Sequence, residues 1–278
     1  ISLGMRFTAK ITDFIVALLL RYVLKYRLKV IRANLEGSFT YASPKLREHD
    51  IWQNYLYLAK VLRQIIVVPR KRLLERRMHL VPNTSLAQWL NEGKSVIVTF
   101  GHTGNWEWTG SFLGIKYPDQ VCALYKKIKS PRVNDLMYRR RLSHVNYLIE
   151  TKQMSELLRL MKKKPTLILM IADQNPGSVQ SSIWTSFLGR NTAFVNGPES
   201  LALRYALPVV YAYTAPRRDG GYIIECKEIY NGHEAVQPGE ITGRFASNLE
   251  ENIRDFRSHW LWSHKRWKRK AQAVPQPS

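Results

Sequence analysis

Short apolar runs alternate along this chain with segments of helical spacing, and this alternation constrains the fold more than any other feature. A run rich in Val and Ile between turn residues is typical of a buried strand, whereas apolar residues three and four positions apart indicate a helix. Alternating strands and helices predict an α/β fold, with a mixed or mostly parallel central sheet flanked by helices. The predicted strands are 95–100, 120–125, 146–149, 166–171, 209–213 and 221–229, and the predicted helices are 10–35, 46–79, 105–115, 131–142, 153–164, 196–206 and 240–260.

The strand at 95–100 leads into a Gly-His-Thr-Gly-Asn-Trp-Glu motif at 101–107. We expect His102 on the connecting loop and Glu107 in the first turn of the next helix, where the helix dipole favours a carboxylate. A carboxylate that holds one imidazole nitrogen fixes the tautomer and leaves the other nitrogen free as a general base. The motif therefore predicts His102 as a base for a hydroxyl group and Glu107 as its orienting partner. From chemistry alone, an ordinary turn with a half-exposed histidine explains the segment equally well.

Polar residues follow three of the predicted strands at the point where each strand ends. They are His102, Lys126 and Asp173. In sheets of this kind, ligands gather outside the carboxyl ends of the strands. We therefore expect these side chains to converge on one site. A turn that Asp173 merely caps is the alternative reading of that residue.

The chain is strongly basic, with 43 Lys and Arg against 21 Asp and Glu and a formal net charge of +22. Such a field attracts anionic membrane surfaces, phosphorylated lipids, acidic proteins or nucleic acid. Eight Trp residues favour a membrane interface. The apolar stretch at 14–20 is too short to span a bilayer but suits a helix that lies in the interface. A nucleic-acid-binding protein is a second hypothesis, but the sequence has no recognisable nucleic-acid-binding motif, so we expect no nucleic acid partner.

The two cysteines, Cys122 and Cys226, lie in apolar contexts that suit buried, reduced thiols. The sequence lacks the Cys and His spacings of a zinc site, and it lacks a glycine-rich nucleotide-binding motif. We therefore expect neither a metal ion nor a cofactor. Five other histidines have no partner pattern and are expected at the surface; they are His49, His79, His144, His233 and His259.

The motif at 101–107 resembles the His-x4-Asp/Glu signature of glycerolipid acyltransferases, and its form is similar to that of the late acyltransferases of lipid A biosynthesis, the lauroyl and myristoyl enzymes. The similarity continues, in the same order as in that family, along nearly the whole chain. The segments that carry it are Arg27-Leu28-Lys29-Val30-Ile31-Arg32-Ala33-Asn34-Leu35 followed by Ser38-Phe39, Arg140-Arg141-Leu142, Ala172-Asp173-Gln174, Phe187-Leu188-Gly189 with Thr192 and Gly197, and the Trp-Ser-His-Lys-Arg-Trp-Lys segment at 262–268.

The resemblance implies an O-acyltransferase that moves a fatty acyl chain from a thioester to a hydroxyl of a lipid A precursor or a similar phosphoglycolipid. The implied donor is linked to acyl carrier protein or to CoA, and another glycolipid or a phospholipid is the alternative acceptor. The catalytic residues would be His102 and Glu107. Backbone N–H groups near Gly104 and Asn105, or the side chain of Arg141, would stabilise the oxyanion. The implied substrate-binding residues are Asn105, Arg141, Asp173 and Gln174.

We expect three regions: an N-terminal membrane-interface helical segment at 1–45, an acyltransferase domain at 46–270 and a disordered tail at 271–278. The resemblance implies a location at the inner, cytoplasmic membrane. There the protein would be peripheral or monotopic, with its active site at the cytoplasmic face.

Overall fold

The computed structural model describes residues 3–66, 70–82 and 84–269. It confirms the predicted α/β fold, since a seven-stranded sheet in the order β1-β9-β8-β2-β5-β3-β4 is flanked by helices. The strands are β1 Met78–Leu80, β2 Val96–Phe100, β3 Val121–Tyr125, β4 Tyr147–Glu150, β5 Leu167–Ile171, β6 Ser182–Phe187, β7 Arg190–Val195, β8 Val209–Pro216 and β9 Tyr222–Tyr230. The helices are α1 Leu3–Leu18, α2 Leu28–Glu36, α3 Pro44–Ile66, α4 Lys71–Arg77, α5 Thr84–Asn91, α6 Trp106–Lys116, α7 Pro131–Leu142, α8 Met154–Lys163, α9 Gly197–Tyr205 and α10 Glu240–Asp255.

The sheet is mixed but mostly parallel: β8 and β9 are antiparallel, and the other neighbouring pairs within it are parallel. Its central strand, β2, lies between β5 and β8, and all five of its residues are buried. Ile97 packs into the apolar cluster on one face, whereas Val96 and Val98 pack into the cluster on the other face. Burial on both faces explains why β2 is continuously apolar instead of alternating.

Three predicted helices are interrupted in the structure. The helix predicted at 10–35 is split by a π-helical turn at Leu19–Val23 and by left-handed backbone at Lys25 and Arg27, where φ is 45° and 54°. The helix predicted at 46–79 is divided into α3, α4 and the short strand β1. The helix predicted at 240–260 ends at Asp255, and a 3-10 turn at Arg257–His259 follows it.

An antiparallel hairpin formed by β6 and β7 was not predicted. Its strands contain polar residues such as Ser182, Thr185 and Asn191, and β6 is only partly buried over most of its length. The apolar run that marks a buried strand is therefore missing from the sequence of this hairpin.

The N-terminal segment packs against α3. The Arg63 guanidinium donates two hydrogen bonds to the Asp13 carboxylate, at 2.6 and 2.9 Å, and the ring of Phe14 meets that of Trp52 edge-on. Within the described ranges, no helix has both the length and the apolar character needed to cross a bilayer. Membrane association of residues 1–45 stays a prediction, and the tail predicted at 271–278 lies outside the described residues.

We predict that Gly114→Ala lowers the free energy of unfolding by about 2 kcal/mol, because its new methyl group would overlap a packed neighbour. A Cβ at Gly114 would lie 1.9 Å from the backbone oxygen of His144, whereas one at Gly110, in the same helix, would lie 3.6 Å from Leu169. Urea unfolding followed by circular dichroism measures the change. Gly110→Ala is the matched control and should be neutral or gain up to about 1 kcal/mol from its higher helix propensity. Equal stability of the two variants would contradict this packing.

Candidate active site

The sheet register brings His102 and Asp173 together. β2 and β5 are parallel neighbours with Phe100 opposite Ile171, and each of the two polar residues follows its strand end by two positions. The His102 Nδ1 atom lies 2.6 Å from one carboxylate oxygen of Asp173, and the His102 backbone N–H donates to the other at 2.7 Å. The histidine is thus held by the acid at both its ring and its backbone.

Asp173 is buried, with only 2% of its side chain exposed. Besides His102, the Trp260 indole N–H donates to the carboxylate at 2.8 Å. Burial alone would raise the pKa of Asp173, but the charge and hydrogen bonds of His102 and the Trp260 hydrogen bond outweigh it and lower the pKa to about 2. Because the carboxylate is therefore ionised at neutral pH, a neutral His102 ring must carry its proton on Nδ1. Its Nε2 is then a free base.

The free nitrogen of His102 faces the side chain of Gln174. The Gln174 amide nitrogen lies 3.2 Å from Nε2 and is suited to donate to it. The Trp106 ring packs edge-on against the imidazole, with 4.9 Å between the ring centroids. The imidazole is therefore fixed in position, and its Nε2 contacts a solvent-exposed amide.

Glu107 does not orient His102, so its predicted role is corrected. Its two carboxylate oxygens accept hydrogen bonds from Arg141 at 2.6 and 3.0 Å. Asn105 caps the helix α6, so Glu107 lies in the first turn and faces α7. Burial would lower the pKa of Arg141, but the hydrogen bond and charge of Glu107 raise it. The pair thus joins α6 to α7, and Asp173 takes the place predicted for Glu107.

Asn105 and Gly104 also differ from their predicted roles. The side chain of Asn105 is fully buried; it accepts from the Trp108 N–H at 3.0 Å and donates to Gln64 at 2.9 Å. The Gly104 N–H donates to the carbonyl of His259 at 2.9 Å. Since these groups are used within the protein, the Asn105 side chain is not positioned to bind substrate, and Gly104 is not positioned to stabilise an oxyanion.

The loop that carries His102 is fixed by residues distant in sequence. Gly104 has a φ of +56°, and a Cβ there would lie 2.6 Å from Thr214, so the position favours glycine. Thr103 forms a β-bridge with Trp260. The Tyr57 hydroxyl lies 2.8 Å from the carbonyl oxygen of Gly104 and 3.3 Å from that of His102. The sequence did not indicate Tyr57 as a site residue, because no local motif surrounds it.

A pocket of about 340 Å³ opens beside His102. Its polar rim includes Lys126, Gln174 and Arg141. His102 and Lys126 therefore meet at one site, as their places after strand ends predicted, while Asp173 lies behind the histidine. The apolar lining comes mainly from the central strands and consists of Phe100, Ala123, Leu124, Ile128, Val145, Leu148, Leu169 and Ile171. Across the described part of the chain, no group of three or more His, Cys, Asp or Glu side chains is arranged to hold a metal ion.

The C-terminal segment supports the loop after Asp173. Trp260 and Trp262 are buried and pack in the apolar core. His264 Nε2 lies 3.3 Å from the Asn175 amide nitrogen. Arg266 is 1% exposed, and its guanidinium lies 4.4 Å from the centre of the Phe194 ring. Burial lowers the pKa of Arg266 to about 10.

The chain is similar to one known protein family over nearly its whole length. The profile of the family described as bacterial lipid A biosynthesis acyltransferases matches residues 2–269. The chain belongs to this family. Because the match covers nearly the whole chain, the protein is an acyltransferase of lipid A biosynthesis. No curated protein matches the chain well enough to add to this assignment.

We predict that His259 makes the fold less stable in mild acid. Burial and the nearby charge of Lys60 lower its pKa from 6.5 to about 4. As the pH falls, His259 is therefore protonated near pH 6.5 in the unfolded chain but only near pH 4 in the folded chain. The free energy of unfolding should be highest above this pH range and should decrease within it. Between pH 7 and 5, the protonation of His259 should lower it by about 2 kcal/mol.

The measurement is urea unfolding at pH 7 and 5 for the wild type and for His259→Gln. The variant should lose less stability between the two values. His233→Gln, at an exposed histidine, is the matched control and should behave as the wild type. An undiminished loss in His259→Gln would contradict the assignment.

Proposed function

We propose that the enzyme transfers a fatty acyl chain from a thioester donor to a hydroxyl of a lipid A precursor or a similar phosphoglycolipid. The observation that carries this proposal is the geometry of His102. Its Nδ1 is held by the ionised Asp173, and the residue lies at the polar rim of an apolar pocket. A base beside an apolar pocket is the arrangement that acyl transfer to an alcohol requires.

The reaction that we propose begins when the acceptor hydroxyl replaces the Gln174 amide at His102 Nε2. His102 then removes the hydroxyl proton as the oxygen attacks the thioester carbonyl, and Asp173 stabilises the imidazolium that forms. The tetrahedral intermediate expels the thiolate, which takes the proton from His102 and leaves as a thiol. An ester is formed, a thioester is broken, and the histidine returns to its starting state.

Arg141 is the oxyanion donor that we propose. Its guanidinium lines the pocket, and Glu107 fixes its orientation through two hydrogen bonds. A preorganised cation near a developing oxyanion stabilises it without reorganisation during the reaction. Glu107 thereby supports catalysis through Arg141 and not through the histidine.

We propose acyl carrier protein as the carrier of the donor, with CoA as the alternative carrier. Acidic or phosphorylated partners suit the formal net charge of +22. We further propose that the enzyme works at the cytoplasmic face of the inner membrane, as a peripheral or monotopic protein. The exposed apolar residues of α1, including Phe7, Phe14 and Ile15, support this location.

The catalytic proposal is tested by comparing the two acids. His102→Gln and Asp173→Asn should each lower kcat by about 10²-fold to 10⁴-fold, the range expected when general base catalysis is lost. Glu107→Gln should lower kcat less, because Arg141 keeps its charge. The assay measures acyl transfer from acyl-carrier-protein donors to a lipid A precursor in detergent micelles.

Glu156→Gln, on the first turn of α8, is the control for a carboxylate outside the site and should match the wild type. Near-wild-type activity of both His102→Gln and Asp173→Asn would overturn the mechanism. If Glu107→Gln lowered kcat as much as Asp173→Asn does and also changed the tautomer of His102, Glu107 would instead be the orienting acid.

The pocket predicts a second result, on acyl chain length. Ala123 lines the pocket from β3, and Ala123→Phe would fill part of its volume. We expect this variant to prefer donors several carbons shorter than those of the wild type, because the bound chain has less room. Competition between donors of different length measures the preference. Ile223→Phe, at an exposed position of β9, is the control. An unchanged preference in Ala123→Phe would show that the acyl chain binds elsewhere.

A further inference from the structure

The helix α7 exposes an apolar face. All of its residues belong to the described part of the chain, and none is buried. Val133 and Leu136, three positions apart on one face of the helix, are 46% and 48% exposed. A helix whose large apolar residues face outward marks an interaction surface. Val133 and Leu136 are therefore available to a partner outside the folded chain.

α7 lies at the rim of the catalytic pocket. The Arg141–Glu107 ion pair joins it to α6, and Arg141 itself lines the pocket. The rings of Tyr138 and Tyr125 approach to 5.9 Å between centroids, which joins α7 to β3. Whatever covers the apolar face of α7 therefore lies next to the opening through which substrates reach His102.

A second exposed apolar surface adjoins this helix. Arg140 of α7 donates a hydrogen bond to the carbonyl of Ile65, near the end of α3. The neighbouring Ile66 is 64% exposed, and Leu62 is exposed as well. α3 also packs against α1. The exposed apolar residues of α1 and the π-helical turn that follows it are Phe7, Ile11, Phe14, Ile15, Leu18, Leu19, Tyr22 and Val23.

The charges around α7 indicate which partner this surface fits. α7 and the loop before it contain one acidic residue, Asp135, and many basic ones, which are Lys126, Lys127, Lys129, Arg132, Arg139, Arg140 and Arg141. Glu150 pairs with Lys127, and Glu107 pairs with Arg141. Apolar and basic residues on one helix suit an anionic bilayer, where each nearby cation contributes on the order of 1 kcal/mol.

We infer that α7 is a membrane-binding helix that docks on the surface of an anionic phospholipid bilayer, beside α1 and the end of α3. This docking turns the opening of the catalytic pocket toward the bilayer, so that a lipid acceptor reaches His102 from the membrane. The inference rests on the proposed function only for the lipid nature of the substrates. The docking surface itself rests on exposure and charge.

A fluorescent probe on α7 tests this inference directly. Leu136→Cys is labelled with an environment-sensitive dye; Cys122 and Cys226 are at most 3% exposed, which directs the dye to the new thiol. Vesicles of phosphatidylcholine and phosphatidylglycerol should shift the emission to the blue. Leu203→Cys, at an exposed leucine of α9, is the matched control and should show no shift.

Two outcomes would overturn the inference. One is an unchanged emission from the probe at 136 while the protein sediments with the vesicles, since α7 would then face away from the membrane. The other is a blue shift that appears without vesicles as protein concentration rises, since the face would then bind a second copy of the chain.

Vesicle affinity provides an independent readout. The double variant Val133→Ser/Leu136→Ser should bind these vesicles about tenfold more weakly than the wild type while keeping its circular dichroism spectrum. Its acyl transfer in detergent micelles should be unchanged, because neither residue lines the catalytic pocket. Arg132→Gln/Arg139→Gln should weaken binding to anionic vesicles but not to neutral ones. If both double variants bound vesicles as tightly as the wild type, the inference would be overturned. The catalytic proposal would not be affected, because it is tested separately by the activity of His102→Gln.

Discussion

The contact between Asp173 and His102 is the interaction on which the site depends, and the register of two neighbouring strands produces it. Because β2 and β5 are parallel with Phe100 opposite Ile171, residues that follow each strand by two positions meet at the same edge of the sheet. A shift of either strand by one residue would turn the side chains of that strand to the opposite face. Trp260 completes the contact by donating to the buried carboxylate, so the C-terminal segment helps to hold the base in place.

The two acids near the motif have different physical tasks. Asp173 is buried and ionised, and it fixes the proton of a neutral His102 on Nδ1. Glu107 is paired with Arg141 and attaches α7 to the rim of the pocket. In our account, one acid orients the base, and the other holds both the proposed oxyanion donor and the proposed membrane-binding helix. In this account, the first turn of α6, which carries Glu107, therefore links the catalytic site to the helix along which the lipid approaches.

The sequence predicted the sheet, the loop carrying His102 and the helix that follows it, because these depend on local apolar runs and on turn residues. It failed at the partner of the histidine. Spacing of five positions suggested Glu107, whereas the acid that contacts the ring is 71 positions away. Strand order and register decide that pairing, and neither can be read from a local pattern. The β6–β7 hairpin escaped prediction for a related reason, since its polar, half-buried strands lack an apolar run.

The most direct test of the central claim is the protonation state of the His102 ring. Nitrogen NMR of histidine-labelled enzyme, at a pH where the ring is uncharged and with His102→Gln to assign the signal, reports which nitrogen carries the proton. Our account predicts a proton on Nδ1 in the wild type and a loss of this preference in Asp173→Asn. A proton on Nε2, or a tautomer indifferent to Asp173→Asn, would contradict it.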